Sequence, residues 1–100
     1  MMPNRNYNSG RAFEYRVQKY LREKGWFVLR SAGSHTVCDL LAIRKGEINL
    51  VQCKKDGRLP PAEKMQLLEL ANEFECRAVL AYTEKRKLVF KELAAQGGES

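Results

Sequence analysis

The residues best suited to chemistry in this sequence are Asp39 and the tripeptide Gln52-Cys53-Lys54, which fall on two short apolar runs. The segment between the runs contains Lys45-Gly46, a plausible two-residue turn, so the runs predict a β-hairpin. If these two residues form the turn, pairing across the hairpin sets Asp39 opposite Gln52 and puts Lys54 on the same face as Gln52. A carboxylate, an amide oxygen and an ammonium group are therefore expected to converge.

These groups fit metal-dependent phosphate chemistry. Hard divalent cations take oxygen ligands, and a nearby lysine stabilises an attacking hydroxide or a phosphate. Glu14 is a further candidate, because it lies beside Phe13 and near Val17, at the border of the apolar stripe of a predicted helix. Its carboxylate is expected to lean over the sheet edge, and the alternative is an ordinary surface glutamate.

The charge balance indicates an anionic partner. The sequence has 18 Lys and Arg against 12 Asp and Glu, which gives a net charge of +6 and a pI of about 9.4. This balance favours nucleic acid, although solvated surface lysines produce the same value. No apolar run approaches the roughly 20 residues of a membrane span, and residues 1–8 have no signal-peptide core. We expect a soluble cytoplasmic protein, associated with the nucleoid or with viral DNA, that has no small-molecule substrate.

The three cysteines, Cys38, Cys53 and Cys76, are odd in number and lack CxxC spacing. This pattern argues against a disulfide framework and against a zinc knuckle. Pairing across the hairpin predicts that Cys38 and Cys53 face each other on the side opposite Asp39. Core packing is the favoured role of both thiols, and a zinc site that includes His35 is the alternative.

The rest of the chain supplies the elements that position these groups. Residues 1–8 are expected to form a flexible arm, residues 9–93 one domain with a modest core, and residues 94–100 a tail. Ser9 is the expected N-cap of the first helix. The remaining expectations are a helix over 10–24 with a core stripe of Phe13, Val17, Tyr20 and Leu21, a strand at 26–30, hairpin strands at 37–43 and 48–53, a helix from Pro61 to about residue 75, and strands at 77–82 and 87–91 joined by a turn at 83–86. The order αβββαββ predicts an α/β fold in which helices cover a mixed sheet.

Four segments taken together resemble a known family. They are GRAFE at 10–14, VLRSAGS at 28–34, Asp39-Leu40 and Gln52-Cys53-Lys54. In order and spacing they resemble the archaeal-type Holliday junction resolvases, which belong to the PD-(D/E)xK nuclease superfamily. The resemblance covers about residues 9–91. It implies a restriction-endonuclease-like mixed five-stranded sheet flanked by helices.

The resemblance also implies roles for individual residues. In the family, a glutamate of the first helix, the hairpin aspartate and the acidic residue of an ExK tripeptide bind Mg²⁺, the lysine assists catalysis, and a loop serine and an arginine support the phosphate. By position these roles fall on Glu14, Asp39, Gln52, Lys54, Ser34 and Arg30. Gln52 departs from the family pattern because its amide brings an oxygen without a charge. A weaker cation site is therefore expected, with Mn²⁺ able to replace Mg²⁺ and Cys53 contributing at most its backbone carbonyl.

The expected DNA contacts are Arg30, which ends the strand beside the site, and five cations that flank the same region in sequence: Arg5, Arg11, Lys55, Arg58 and Lys64. We expect several of them to bind the DNA backbone and none to read bases. Alternative roles remain for the loop residues. Ser31 and Ser34 are also suited to capping a turn, and His35 to the solvent.

The predicted function is a metal-dependent, structure-selective endonuclease that resolves four-way (Holliday) DNA junctions during recombination and repair. Two opposed nicks require two active sites, and one domain supplies one site, so a homodimer is expected. One alternative is a related nuclease that acts on flaps, forks or linear duplex. The other is a non-catalytic DNA-binding module that has lost its acidic ligand.

Overall fold

The chain folds into one mixed sheet of five strands with a helix on each face. The computed structural model describes residues 5–31 and 37–94, and their side chains from Gly10 onward. The elements in chain order are α1 (Arg5–Glu23), β1 (Phe27–Arg30), β2 (Leu40–Arg44), β3 (Glu47–Cys53), α2 (Pro61–Glu73), β4 (Arg77–Glu84) and β5 (Lys87–Glu92). This order confirms the predicted αβββαββ arrangement and the α/β class.

The strands are neighbours in the order in which they occur in the chain, β1-β2-β3-β4-β5. All neighbouring pairs are antiparallel except β3 and β4, which are parallel and are connected through α2. The β2–β3 hairpin turns at Lys45 and Gly46, whose φ angles are 48° and 85°. Positive φ at both positions fits a primed hairpin turn. The predicted turn is therefore confirmed, and so is the hairpin register, in which Leu40 pairs with Val51.

Adjacent residues of the central strands pack into two separate clusters, one on each face of the sheet. On β3, Val51 joins the cluster that contains Val17 of α1, whereas Leu50 joins the cluster that contains Leu67 of α2. This alternation follows from the two-residue period of a strand. Val17 and Leu67 are both 0% exposed, and full burial of such a side chain contributes about 1.5–3 kcal/mol. The two helices are thereby fixed on opposite faces.

The first helix begins earlier than predicted. Because α1 begins at Arg5, Ser9 lies within the helix instead of capping it, and residues 5–8 of the predicted arm are helical. No glycine or proline lies between Arg5 and Ser9, and polar composition alone does not prevent a helix from extending. Residues 1–4 of the arm and residues 95–100 of the predicted tail lie outside the described residues.

The predicted core stripe of α1 is correct at three of its four positions. Phe13, Val17 and Leu21 are buried, but Tyr20 is 40% exposed. The Tyr20 ring stacks on Phe90 of β5 with 5.4 Å between ring centroids, which places it at the margin of the sheet. The stripe therefore marks the correct face of the helix and overestimates its width.

The second half of the chain also differs from the expectation in its boundaries. α2 begins at Pro61 as predicted and ends at Glu73. β4 and β5 are joined by two residues, Lys85 and Arg86, with φ angles of 51° and 69°, so this turn is shorter than the predicted 83–86. In the described part of the chain, no helix is long and apolar enough to cross a lipid bilayer.

The cysteines pack in the core, but not as partners across the hairpin. Cys53 packs against the α1 cluster, and Cys38 packs against the α2 cluster. The predicted face-to-face arrangement is therefore wrong, because the ladder ends at the Leu40–Val51 pair and Cys38 precedes the strand. Burial raises the pKa of both thiols above the ordinary value, which favours the neutral, packed form. His35, the other member of the alternative zinc site, lies outside the described residues.

Candidate metal and phosphate site

Asp39 is held at the end of the hairpin by three hydrogen bonds. Its backbone N–H donates to the Val51 carbonyl at 2.9 Å, and its own carbonyl accepts from the Ser31 N–H at 2.9 Å. Its side-chain Oδ2 accepts from the Cys53 backbone N–H at 2.8 Å. The ladder ends at the Leu40–Val51 pair, and Asp39, which directly precedes β2, also bonds to Val51. The expected ladder pair of Asp39 with Gln52 is replaced by this side-chain contact with the next residue of β3.

The surroundings of Asp39 make its negative charge costly in the absence of a cation. Burial is the largest cause that raises the pKa of Asp39 above the ordinary value, and the carboxylates of Glu14 and Glu63 raise it further. The hydrogen bond from Cys53 and the ammonium of Lys54 act in the opposite direction. A carboxylate whose charge is disfavoured in this way is suited to bind a positive ligand.

Gln52 carries a buried oxygen that has no hydrogen-bond partner. Leu50 belongs to the α2 cluster and Val51 to the α1 cluster, so the alternation of β3 puts Gln52 on the α2 face. Its Oε1 atom is buried and accepts no hydrogen bond from the described part of the chain. An unsatisfied buried oxygen typically costs about 1–3 kcal/mol. A divalent cation that accepts amide oxygens would remove this cost.

Lys54 follows the end of β3 and forms an ion pair that the sequence did not predict. Its Nζ lies 3.2 Å from Oε1 of Glu63, in the first turn of α2. This contact is an ion pair and not a directed hydrogen bond. In the described structure the buried Glu63 oxygen, like Gln52 Oε1, therefore accepts no hydrogen bond. Lys54 therefore pairs with a carboxylate on α2 and also acts electrostatically on the hairpin carboxylate Asp39.

Glu14 and Arg30 also form a pair. Arg30 Nε donates to Glu14 Oε1 at 2.6 Å, across the gap between α1 and the end of β1. The Glu14 side chain is 17% exposed and that of Arg30 is 42% exposed, so the carboxylate is turned inward and the guanidinium outward. The prediction that Glu14 leans toward the sheet is confirmed. The charge of this carboxylate also raises the pKa of Asp39.

The donor set fits a hard divalent cation of modest affinity. Glu14, Asp39 and Gln52 offer oxygen atoms from α1, the hairpin and β3, and the Gln52 oxygen lacks any other partner. Among residues 5–31 and 37–94, no three His, Cys, Asp or Glu side chains are gathered closely enough to form a ready metal cluster. This agrees with the presence of an amide where a third carboxylate is expected. The carbonyl of Cys53 as a ligand stays a prediction.

The predicted DNA contacts are spread around this region. Arg11, Lys55 and Arg58 are exposed, and Lys54 and Lys55 line one hollow together with Gly10 of α1. Lys64 instead lines a groove between α2 and the end of β5. Ser34 and the side chain of Arg5 lie outside the described part of the structure, so their roles stay predictions.

Sequence reasoning missed Glu63. Its position in the first turn of a helix is favourable for any acidic residue, because the helix dipole is positive there. No motif spacing distinguishes it from an ordinary helix-start glutamate. Its proximity to Lys54 depends on how α2 packs on β3, which only the folded chain reveals.

Comparisons with known proteins identify the family to which this chain is similar. A family model described as the archaeal Holliday junction resolvase (Hjc) matches residues 5–96. A crossover junction endodeoxyribonuclease Hjc of Methanocaldococcus jannaschii is 42% identical over 52 residues, which cover 52% of this chain and 38% of that protein. The matched part is thus well under half the length of that relative.

The fold is similar to that of a solved resolvase. The Hjc Holliday junction resolvase of Archaeoglobus fulgidus superposes with a TM-score of 0.72 and 25% sequence identity. The similarity covers 84% of this chain and 72% of that structure. It confirms the predicted restriction-endonuclease-like arrangement of sheet and helices.

Proposed function

This chain belongs to the archaeal Holliday junction resolvase family, and from that premise we propose that it is a divalent-metal-dependent endonuclease that cuts four-way DNA junctions. The observation that carries the proposal is the buried, unpartnered oxygen of Gln52 beside the Asp39 hairpin end, at the position where the family pattern places an acidic metal ligand. This position distinguishes it from the equally unpartnered oxygen of Asn49, which lines a separate hollow.

The cation is proposed to be Mg²⁺, with Mn²⁺ as a substitute. Glu14, Asp39 and Gln52 would hold it, and when bound it would lower the pKa of a water molecule and polarise the scissile phosphate. The backbone N–H of Cys53 keeps the Asp39 carboxylate oriented toward the end of the sheet. The position of this carboxylate is therefore fixed by a backbone group of the hairpin and not by another flexible side chain.

Lys54 and Arg30 supply positive charge for the phosphate. Lys54 is 30% exposed at its side chain and Arg30 is 42% exposed, so both are accessible to a DNA strand that passes the site. A guanidinium binds phosphate oxygens in a fixed fork, while an ammonium acts as a point charge next to a developing anion. We assign phosphate binding to Arg30, with Ser34 as its predicted helper, and stabilisation of the nucleophile or of the developing charge to Lys54.

Recognition of the junction is proposed to depend on shape. Lys55 lines the hollow beside Lys54, Arg58 lies on the loop that follows, and Arg11 is the neighbour of Gly10, which also lines the hollow. We include Arg5 and Lys64 as further backbone contacts. Contacts to the backbone position a protein without reading sequence. A homodimer would present two such sites to the two opposed strands of one junction.

Cleavage assays on three DNA substrates test this proposal. A synthetic four-way junction, a flap and a linear duplex, each labelled on one strand, are incubated with Mg²⁺ or Mn²⁺ and separated on a denaturing gel. Paired nicks in the junction alone are expected. Preferential cutting of the flap or the duplex would instead identify a related nuclease, and binding without cutting of any substrate would identify a non-catalytic DNA-binding module.

A further inference from the structure

Glu63 is the one acidic side chain that α2 directs toward the candidate site in the described structure. Its inner oxygen is buried, although the side chain as a whole is 44% exposed. That oxygen lies 3.2 Å from Lys54 Nζ. The charges of Glu63 and Glu14 both raise the pKa of Asp39. Glu63 therefore belongs to the same electrostatic environment as the predicted ligands.

The sheet places Gln52 and Glu63 on the same side. The alternation along β3 puts Gln52 and Lys54 on the face that α2 covers, and Glu63 comes from the first turn of α2. Two buried oxygens without hydrogen-bond partners, Gln52 Oε1 and Glu63 Oε1, thus belong to elements that pack against each other. Among the described residues no donor accounts for the burial of Gln52 Oε1, whereas Glu63 Oε1 has the Lys54 ammonium as its partner.

We propose that Glu63 supplies the negative charge that the amide of Gln52 does not, and that it acts as a third carboxylate toward the divalent cation. This inference rests on the proposed function, because it concerns the same site. In the metal-free state Glu63 pairs with Lys54, whose positive charge partly offsets the repulsion between Glu63 and Asp39. A cation attracts the carboxylate more strongly than an ammonium of half its charge, so its binding favours the carboxylate in the site.

A competing explanation gives Glu63 no contact with the cation. In that case the carboxylate acts only as a positioning group that holds Lys54, and its removal changes cleavage through Lys54. Activity measurements cannot separate these roles, because both predict slower cutting. Metal binding by the protein without DNA separates them, since only a carboxylate that faces the cation changes that affinity directly.

The test is Mn²⁺ titration of the metal-free protein by calorimetry, with the wild type, Glu63→Gln and Glu69→Gln. Glu69 is an exposed glutamate of the same helix, so its substitution makes the same charge change away from the site. We expect Glu63→Gln to weaken Mn²⁺ binding about tenfold or more, which corresponds to about 1.4 kcal/mol, and Glu69→Gln to leave it within about twofold. Equal affinities for Glu63→Gln and the wild type would overturn the proposal.

A double-mutant cycle with Lys54→Met excludes an effect transmitted through Lys54. If Glu63 acts on the cation, Glu63→Gln weakens Mn²⁺ binding in the Lys54→Met background as well. If the effect of Glu63→Gln disappears in that background, Glu63 acts only through Lys54 and the proposal is wrong. Thermal unfolding of each metal-free variant verifies that the compared proteins are folded.

The same titration distinguishes failure of this inference from failure of the proposed function. A wild-type protein that binds Mn²⁺ and cuts junctions, with no change in affinity for Glu63→Gln, refutes only the role of Glu63. A wild-type protein that neither binds Mn²⁺ nor cuts junctions refutes the proposed function, and the role of Glu63 with it.

Discussion

The substitution Gln52→Glu tests the candidate site most directly, because it changes one buried oxygen donor into a charged one with almost no change in shape. The neighbouring Lys54 and Glu63 side chains are 30% and 44% exposed, so solvent screens the site substantially. At about 4 Å in a water-like environment, two unit charges interact by about 1 kcal/mol, and a divalent cation doubles this to about 2 kcal/mol. The expected gain in Mg²⁺ affinity is roughly 30-fold.

The assay is junction cleavage as a function of Mg²⁺ concentration for the wild type and Gln52→Glu. The Mg²⁺ concentration for half-maximal cleavage should fall roughly 30-fold. The added charge also slows the approach of phosphate at saturating Mg²⁺. The metal-free variant should in turn unfold at a lower temperature, because a new carboxylate joins Asp39 and Glu63.

Asn49→Asp is the matched control for this substitution. Asn49 lies on the same strand and also has a buried oxygen without a hydrogen-bond partner, but it lines a hollow with Tyr20 and Trp26 at the other end of β3. Asn49→Asp should leave the Mg²⁺ midpoint unchanged. If Gln52→Glu also leaves it unchanged, Gln52 does not contact the cation and the site described above is wrong.

Three further predictions follow from the same geometry. Asp39→Asn should abolish cleavage and leave junction binding nearly intact in a gel-shift assay. Because burial raises the pKa of Asp39, its charge destabilises the metal-free fold above that pKa. The unfolding temperature of Asp39→Asn at pH 7 should therefore exceed that of the wild type. Equal loss of binding and cutting would contradict the ligand role. Junction affinity should fall by orders of magnitude between about 50 and 200 mM salt if several phosphates are neutralised, and a flat response would refute the electrostatic basis of binding. Light scattering of the complex should give the mass of the junction DNA plus two chains. The mass of the DNA plus one chain of 11.5 kDa would exclude the proposed dimer.

The hairpin shows how much of the site is encoded locally. Lys45-Gly46 determines the turn, and the turn determines the register up to the Leu40–Val51 pair, so both were predictable from sequence. The end of the ladder at Asp39 was not, because it depends on hydrogen bonds between Asp39 and both Ser31 and Val51, which belong to different segments. The same interruption moved Cys38 to the α2 face, which is why the simple two-residue alternation failed there.

The contacts between elements account for the other differences. The motif match brought Glu14 and Arg30 together as members of one site, and the structure shows them as an ion pair at 2.6 Å. Glu63 had no such signal, because its importance arises only from the packing of α2 on β3. Local patterns therefore predicted the residues on each element, while the partners across elements required the folded chain.

The two ion pairs of the site link cation binding to phosphate binding. Each pair joins a proposed cation ligand to a proposed phosphate contact: Glu14 with Arg30, and Glu63 with Lys54. In the metal-free state these pairs only partly offset the repulsion of Asp39 by Glu14 and Glu63. A cation that attracts Glu14 and Glu63 weakens their hold on Arg30 and Lys54, and a phosphate that attracts Arg30 and Lys54 weakens their hold on the carboxylates. Each ligand therefore favours the binding of the other, so Mg²⁺ affinity should be higher in the presence of junction DNA than in its absence.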